Sequence, residues 1–161
     1  MADGNNLTRD TLDDLIEAER KLVDTLPKLA EAAENADLVK GIKKHLEETR
    51  GQVKRLERAF EALGLQARAE TCDAMKGLIE EGEGVLEKHE KGLLRDALII
   101  ASCQKVEHYE IATYGTMCEW AEVLELEDVK TLLGETLQQE EATDLALSEI
   151  AKEINQSAAM A

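Results

Sequence analysis

The sequence has a single proline and only four aromatic residues, which leaves little material for β-structure. Strands are usually built from Val, Ile, Thr and aromatic side chains, whereas Ala, Leu, Glu and Lys, which are abundant here, favour helices. With 161 residues and 43% hydrophobic composition, the chain can bury one sizeable core but is too short for two domains. The composition therefore predicts an all-α protein with a single domain over residues 1–161.

Basic charge, long apolar runs and paired cysteines are also scarce. The 19 basic residues against 35 acidic ones give a formal charge of −16, which repels nucleic acid and anionic membranes as partners. The three cysteines lack CxxC spacing, so a disulfide framework is not indicated. No basic segment followed by an apolar run begins the sequence, and no apolar stretch approaches the length of a membrane span. We expect a cytoplasmic protein.

Helical periodicity predicts two long helices in the first half of the chain, after a disordered segment at residues 1–6. Pro27 should kink the first helix without ending it, because the apolar pattern continues to Ala33. Asp37 is the expected N-cap of the second helix, which should stop before Gly64. These two helices form an antiparallel hairpin.

The second half repeats this arrangement after a crossover segment at residues 65–91, which contains a short helix from about Asp73 to Lys88. A third long helix follows Gly92 and ends near Val123, and a fourth follows, with disorder expected at residues 156–161. Two helical hairpins joined by one long connection are typical of ferritin-like folds. The predicted architecture is thus a ferritin-like four-helix bundle with a short extra helix in the crossover connection.

Several acidic residues lie on the apolar faces of these helices. Glu19, Glu107 and Glu140 occupy the centres of the apolar stripes of the first, third and fourth long helices. Glu110 lies close to Glu107 on the third, and Asp144 is one turn beyond Glu140 and also faces inward. A buried carboxylate must be neutral, paired with a cation or bound to a metal.

The second long helix is harder to interpret. Thr49 is central on its apolar face, His45 and Gln52 lie on one shoulder, and Glu48 lies between them and further out. Glu19 and Gln52 are separated by the same number of residues as Glu107 and Glu140, which supports an internal repeat. This count places Gln52 opposite Glu140, whereas pairing Glu48 with Glu140 requires a shorter loop or a rotated helix.

Carboxylates converging from several helices suit iron or manganese, and two such ions would offset their charge. The ordinary alternative for a single inward acidic residue is an ion pair with Lys or Arg near a helix end. His45 is likewise more often a structural histidine than a ligand.

Five segments together resemble the YciF family of bacterial stress-associated ferritin-like proteins: EAERKLVDTLPKLAEAA (17–33), HLEETRGQVKRLERAFEALG (45–64), TCDAMKGLIEEGE (71–83), QKVEHYEIATYGTM (104–117) and ETLQQEEATD (135–144). The resemblance spans nearly the whole chain and implies a dimeric ferritin-like bundle with a dimetal centre. By that resemblance the ligands are Glu19, Glu48, Glu107, Glu110 and Glu140, with Gln52 and Asp144 as supporting or alternative ligands. His45 is a further candidate. The Glu-x-x-His pairs of better-known ferritins are absent from both predicted helices that would carry them.

The first functional hypothesis is a protein that binds two iron or manganese ions and consumes dioxygen or peroxide during stress. The alternative is a dimeric helical interaction protein without metal, whose working surface lies around the third long helix and the crossover helix. A hollow storage shell is a third hypothesis. The sequence leaves open whether any substrate is turned over.

Overall fold

The structure is a computed structural model that describes residues 2–68 and 70–160, with side chains from residue 7 onward. Within these ranges the chain forms five α-helices and no strand, as predicted from the composition. The helices are α1 (Ala2–Ala32), α2 (Ala36–Ala62), α3 (Asp73–Lys88), α4 (Leu93–Val123) and α5 (Glu127–Met160). Among them, no helix combines the length and the apolar composition needed to cross a membrane.

The helix boundaries differ from the predicted ones at three places. Helices α1 and α5 include residues 2–6 and 156–160, which were expected to be disordered, while Met1 and Ala161 lie outside the described residues. The N-cap of α2 is Asn35 instead of Asp37, because the extended Asn35 backbone lets its side chain accept hydrogen bonds from the N–H groups of Asp37 and Leu38. Helix α1 continues through Pro27, as predicted.

The helices pack as two hairpins. Helix α1 lies along α2 and α4 lies along α5, and the hairpins meet mainly through α2 against α5, with α1 also contacting α4. Helix α3, in the connection between the hairpins, packs on α4 and α1. Each long helix therefore presents one face to the common interior.

The interior consists of two apolar clusters separated along the helices. One cluster includes Leu22, Ile42, Ile99 and Leu147, and the other includes Leu12 and its neighbours near the opposite ends of the helices. On every long helix, buried polar residues lie close to the point in the sequence where one cluster gives way to the other. We call these residues the polar layer: Glu19, His45, Thr49, Gln52, Glu107, Glu110, Thr136, Glu140 and Thr143.

Two further buried carboxylates fix the connections around the hairpins. Asp96 on α4 accepts hydrogen bonds from the N–H groups of Glu34 (2.9 Å) and Asn35 (2.7 Å), which ties the α1–α2 turn to the start of α4. Asp13 on α1 accepts from the backbone N–H of Arg68 (2.7 Å) and from its side chain (2.6 Å), and also from Arg9 (3.0 Å). Both carboxylates are fully paired by donors.

We expect Asp13→Asn to lower the free energy of unfolding by about 2 kcal/mol, because charge-assisted bonds to Arg68 and Arg9 are lost in a buried setting. Burial alone would raise the pKa of Asp13, but these bonds outweigh it and lower the pKa. Their stabilisation is therefore present above the unfolded pKa of about 4 and is lost as the pH falls further. Urea titrations at pH 7 and pH 3 should show that the wild type and Asp13→Asn differ less in their free energy of unfolding at pH 3.

The matched control for this prediction is Asp24→Asn, at an exposed position of the same helix. An Asp13→Asn protein as stable as this control at pH 7 would contradict the anchoring role of Asp13.

Candidate metal centre

Four helices bring ionisable side chains into the middle of the polar layer. Glu19 comes from α1, His45 from α2, Glu107 and Glu110 from α4, and Glu140 from α5. Glu19, Glu110 and Glu140 have no exposed surface, Glu107 is 1% exposed and His45 is 4% exposed. The acidic residues that the sequence placed on the apolar stripes of α1, α4 and α5 are thus gathered at one level of the interior.

The spacing of these side chains fits a bound cation. One ligand atom each from His45, Glu107, Glu110 and Glu140 lies within 4.8 Å of all the others. Ligands on opposite sides of one cation are about 4–5 Å apart, since each bond is about 2.0–2.6 Å long. Glu19 interacts electrostatically with both Glu110 and Glu140. The fourth carboxylate of the centre therefore lies next to the four-residue group.

Most polar atoms of this centre lack a hydrogen-bond partner. The buried unpartnered side-chain atoms in the described residues are, apart from Arg95 Nε, all in the polar layer: Glu19 Oε2, both ring nitrogens of His45, Gln52 Oε1, Glu107 Oε2, both oxygens of Glu110 and Glu140 Oε2. His45 Nε2 lies 3.1 Å from Glu107 Oε1, but the angles are not those of a hydrogen bond. Native interiors rarely leave such atoms unpaired, so this cluster needs an explanation.

Basic side chains do not supply the missing partners. Within the described residues, no Lys or Arg nitrogen lies within 4.0 Å of the carboxylates of Glu19, Glu107, Glu110 or Glu140. Arg55 attracts Glu19 from a distance, but its guanidinium binds Glu135 and Gln139. The ordinary alternative, ion pairs with Lys or Arg, therefore does not account for the four carboxylates.

Burial and mutual repulsion shift the protonation of the centre. Burial, followed by the charge of Glu140, raises the pKa of Glu19 to about 8. Burial and the neighbouring carboxylates also raise the pKa values of Glu107 and Glu110 well above their usual range. Burial lowers the pKa of His45, which keeps its ring neutral and able to act as a ligand. Without a cation, the centre is therefore more stable when it holds extra protons.

Two polar neighbours hold carboxylates of the centre in place. The Tyr114 hydroxyl, fully buried on α4, donates to Glu19 Oε1 at 2.5 Å. Gln52 on α2 donates its amide N–H to Glu140 Oε1 and to Gln139 Oε1. Gln52 thus lies opposite Glu140, as the equal sequence separations indicated. Each bond uses one oxygen of a carboxylate and leaves the other free for a ligand.

The structure does not bring Glu48 and Asp144 into this group. Glu48 is only half-buried, with its Oε1 3.0 Å from Lys44 Nζ. Asp144 faces α4 at the surface, where it accepts from Gln104 at 3.2 Å and lies 3.2 Å from the exposed His108 ring. Helix α2 therefore contributes His45 to the group. His45 continues the spacing of the buried Leu38 and Ile42, which is the sequence signal for its inward position.

Fold and site together define an all-helical protein with two packed hairpins and a buried carboxylate–histidine centre between them. The family described as "Domain of unknown function (DUF892)" matches residues 5–160, and the chain belongs to this family.

The relatives agree with this assignment. The chain is 46% identical to Protein YciF of Escherichia coli strain K12 over 141 residues, which covers 87% of this chain and 85% of that protein. The crystal structure of the E. coli stress protein YciF matches with a TM-score of 0.92 and 42% identity, covering 97% of this chain and 99% of the other. YcfI from Rhodopseudomonas palustris matches with a TM-score of 0.87 and 39% identity over 90% and 92% of the two chains. The resemblance to the YciF family is confirmed.

We expect the free energy of unfolding in EDTA to fall as the pH rises from 5 to 8. The folded pKa values of Glu19, Glu107 and Glu110 are raised, so their contribution is fully present below the unfolded pKa of about 4.3. This stabilising contribution is lost as the pH rises through the pKa values that the three residues have in the folded protein. Replacing Glu107 or Glu110 by Gln should reduce the fall by about 1–3 kcal/mol, measured by urea unfolding.

Glu119→Gln, at an exposed position of α4, is the matched control and should keep the wild-type slope. Equal slopes for the Glu110→Gln and control proteins would contradict the raised pKa of Glu110.

Proposed function

We propose that this chain is a ferritin-like protein whose polar layer binds two divalent iron or manganese ions. The observation that carries the proposal is the set of buried, unpartnered carboxylate and imidazole atoms from four helices, which form no ion pair with a Lys or Arg in the part of the chain that the structure describes. A buried charge is costly unless it is paired or coordinates a metal. Two packed hairpins with a connection between them support the ferritin-like assignment.

The donor set and its charge favour this choice of metals. Four carboxylates, from Glu19, Glu107, Glu110 and Glu140, carry four negative charges when ionised, and two divalent cations balance them. Carboxylate oxygens with one imidazole nitrogen suit iron and manganese, whereas the three thiols lie outside the centre. Bound iron or manganese would supply redox chemistry toward dioxygen or peroxide.

We assign His45, Glu107, Glu110 and Glu140 to one ion, because their ligand atoms lie within the span of a single coordination sphere. Glu19, beside this group, would contribute to holding the second ion. Tyr114 and Gln52 orient Glu19 and Glu140 through hydrogen bonds to their other oxygens. The apolar clusters on both sides keep bulk water from the centre, which strengthens its electrostatic interactions.

A role in the stress response is the cellular setting that we propose, because the E. coli relative is described as a stress protein. In that setting the centre would remove dioxygen or peroxide. A homodimer in the cytoplasm is part of the same proposal and follows from the family resemblance. Gln52 and Asp144 remain supporting candidates for binding outside the five-residue centre, whereas Glu48 is not assigned to either ion.

Metal binding should be visible as both stoichiometry and stability. We expect about two manganese or iron ions per chain by elemental analysis after loading and desalting, and a higher melting temperature. Ligand at one hundred times its Kd stabilises the folded state by about 2.7 kcal/mol. Glu140→Gln should lose at least one ion and most of the thermal shift, because this carboxylate belongs to the four-residue group and also interacts with Glu19.

Glu141→Gln, its exposed neighbour on α5, is the matched control and should bind like the wild type. A wild-type protein that takes up neither Fe(II) nor Mn(II) would contradict the proposal and favour the non-metallated interaction protein. A mass of cage size in solution would favour the storage shell.

A further inference from the structure

A small cavity between α2, α4 and α5 joins the polar layer to the protein surface. Its volume is about 40 Å³, and Lys44, Glu48, His45 and Glu107 are among the residues that line it. The side chains of these four residues are 69%, 19%, 5% and 1% exposed, in that order. The cavity thus has an outer end at Lys44 and Glu48 and an inner end at the candidate metal centre.

Polar groups line this cavity from its outer to its inner end. One Glu48 oxygen is 3.0 Å from Lys44 Nζ, and the other accepts a hydrogen bond from Thr143 Oγ1 at 3.4 Å. At the inner end, His45 is buried and neither ring nitrogen has a hydrogen-bond partner. A cation that loses water in such a narrow space finds oxygen and nitrogen ligands along its path.

A second cavity reaches His45 and Glu107 from the side of α3, but it is smaller. It measures about 20 Å³, and Leu22, Leu78 and Val106 are among the residues that line it. Its outer acidic residue is Glu83, which is paired with Lys28 at 3.3 Å. Because this cavity has half the volume of the one at Glu48, we take the cavity at Glu48 as the route for cations.

We propose that Glu48 is a transit site through which divalent cations reach the centre, with Lys44 as a competing charge at its mouth. This inference rests on the proposed dimetal function. A cavity of 40 Å³ accommodates only one or two water-sized particles, so an ion passes partly dehydrated and must displace Lys44 from Glu48. Glu48 then acts on the rate of loading, while the five residues of the centre hold the ions.

Stopped-flow mixing of Co(II) with EDTA-treated, desalted protein separates these roles, because cobalt absorbance reports loading without any catalytic reaction. We expect Glu48→Gln to load about tenfold more slowly than the wild type, since a focused negative charge raises association rates by roughly ten to a thousandfold. The number of ions bound at equilibrium should not change. Lys44→Gln should load faster, because the competing charge is gone.

Glu47→Gln and Lys43→Gln are the matched controls, with the same charge changes at exposed positions of α2. If Glu48→Gln loads at the rate of Glu47→Gln, or binds fewer ions at equilibrium, the transit role is overturned while the dimetal proposal stands. If the wild type binds no metal, the dimetal proposal fails and the transit site fails with it.

Discussion

The repulsion and desolvation of four buried carboxylates is the constraint on which the structure of this protein depends. Removing an ionised carboxylate from water costs several kcal/mol even after relaxation, and here four lie together with no Lys or Arg paired to them among the described residues. Protonation removes the charges and with them this free-energy cost, which is why the pKa values of Glu19, Glu107 and Glu110 are raised. Cations can relieve it at neutral pH without removing the charges.

The arrangement of the helices makes this concentration of charge tolerable. The two apolar clusters lie on either side of the polar layer, so hydrophobic burial on both sides stabilises the hairpins that carry the charges. Asp96 and Asp13 fix the connections, which limits the freedom of the helices to separate. The repulsion is thus confined to the middle of long helices, where packing above and below holds the backbone.

Much of the fold was predictable from helical periodicity, because the long helices carry regular apolar stripes. The break in this pattern near residue 34, and Gly92 before the third long helix, also marked helix boundaries in the sequence. Glu19, Glu107, Glu110 and Glu140 were predictable for the same reason. The ligand from α2 was not predictable, since Glu48 and His45 are less than one turn apart. A modest rotation of the helix decides which of the two side chains faces the interior. Asp144 looked inward on a helical wheel, but Gln104 and His108 on α4 hold it at the surface.

Anomalous diffraction from crystals grown with Mn(II) would show whether the buried carboxylates bind metal, because the signal locates the ions themselves. We expect two peaks per chain, both within bonding distance of the carboxylates of the centre, with His45 at one of them. Peaks confined to the protein surface, with the interior carboxylates bonded only to one another and to water, would contradict this expectation.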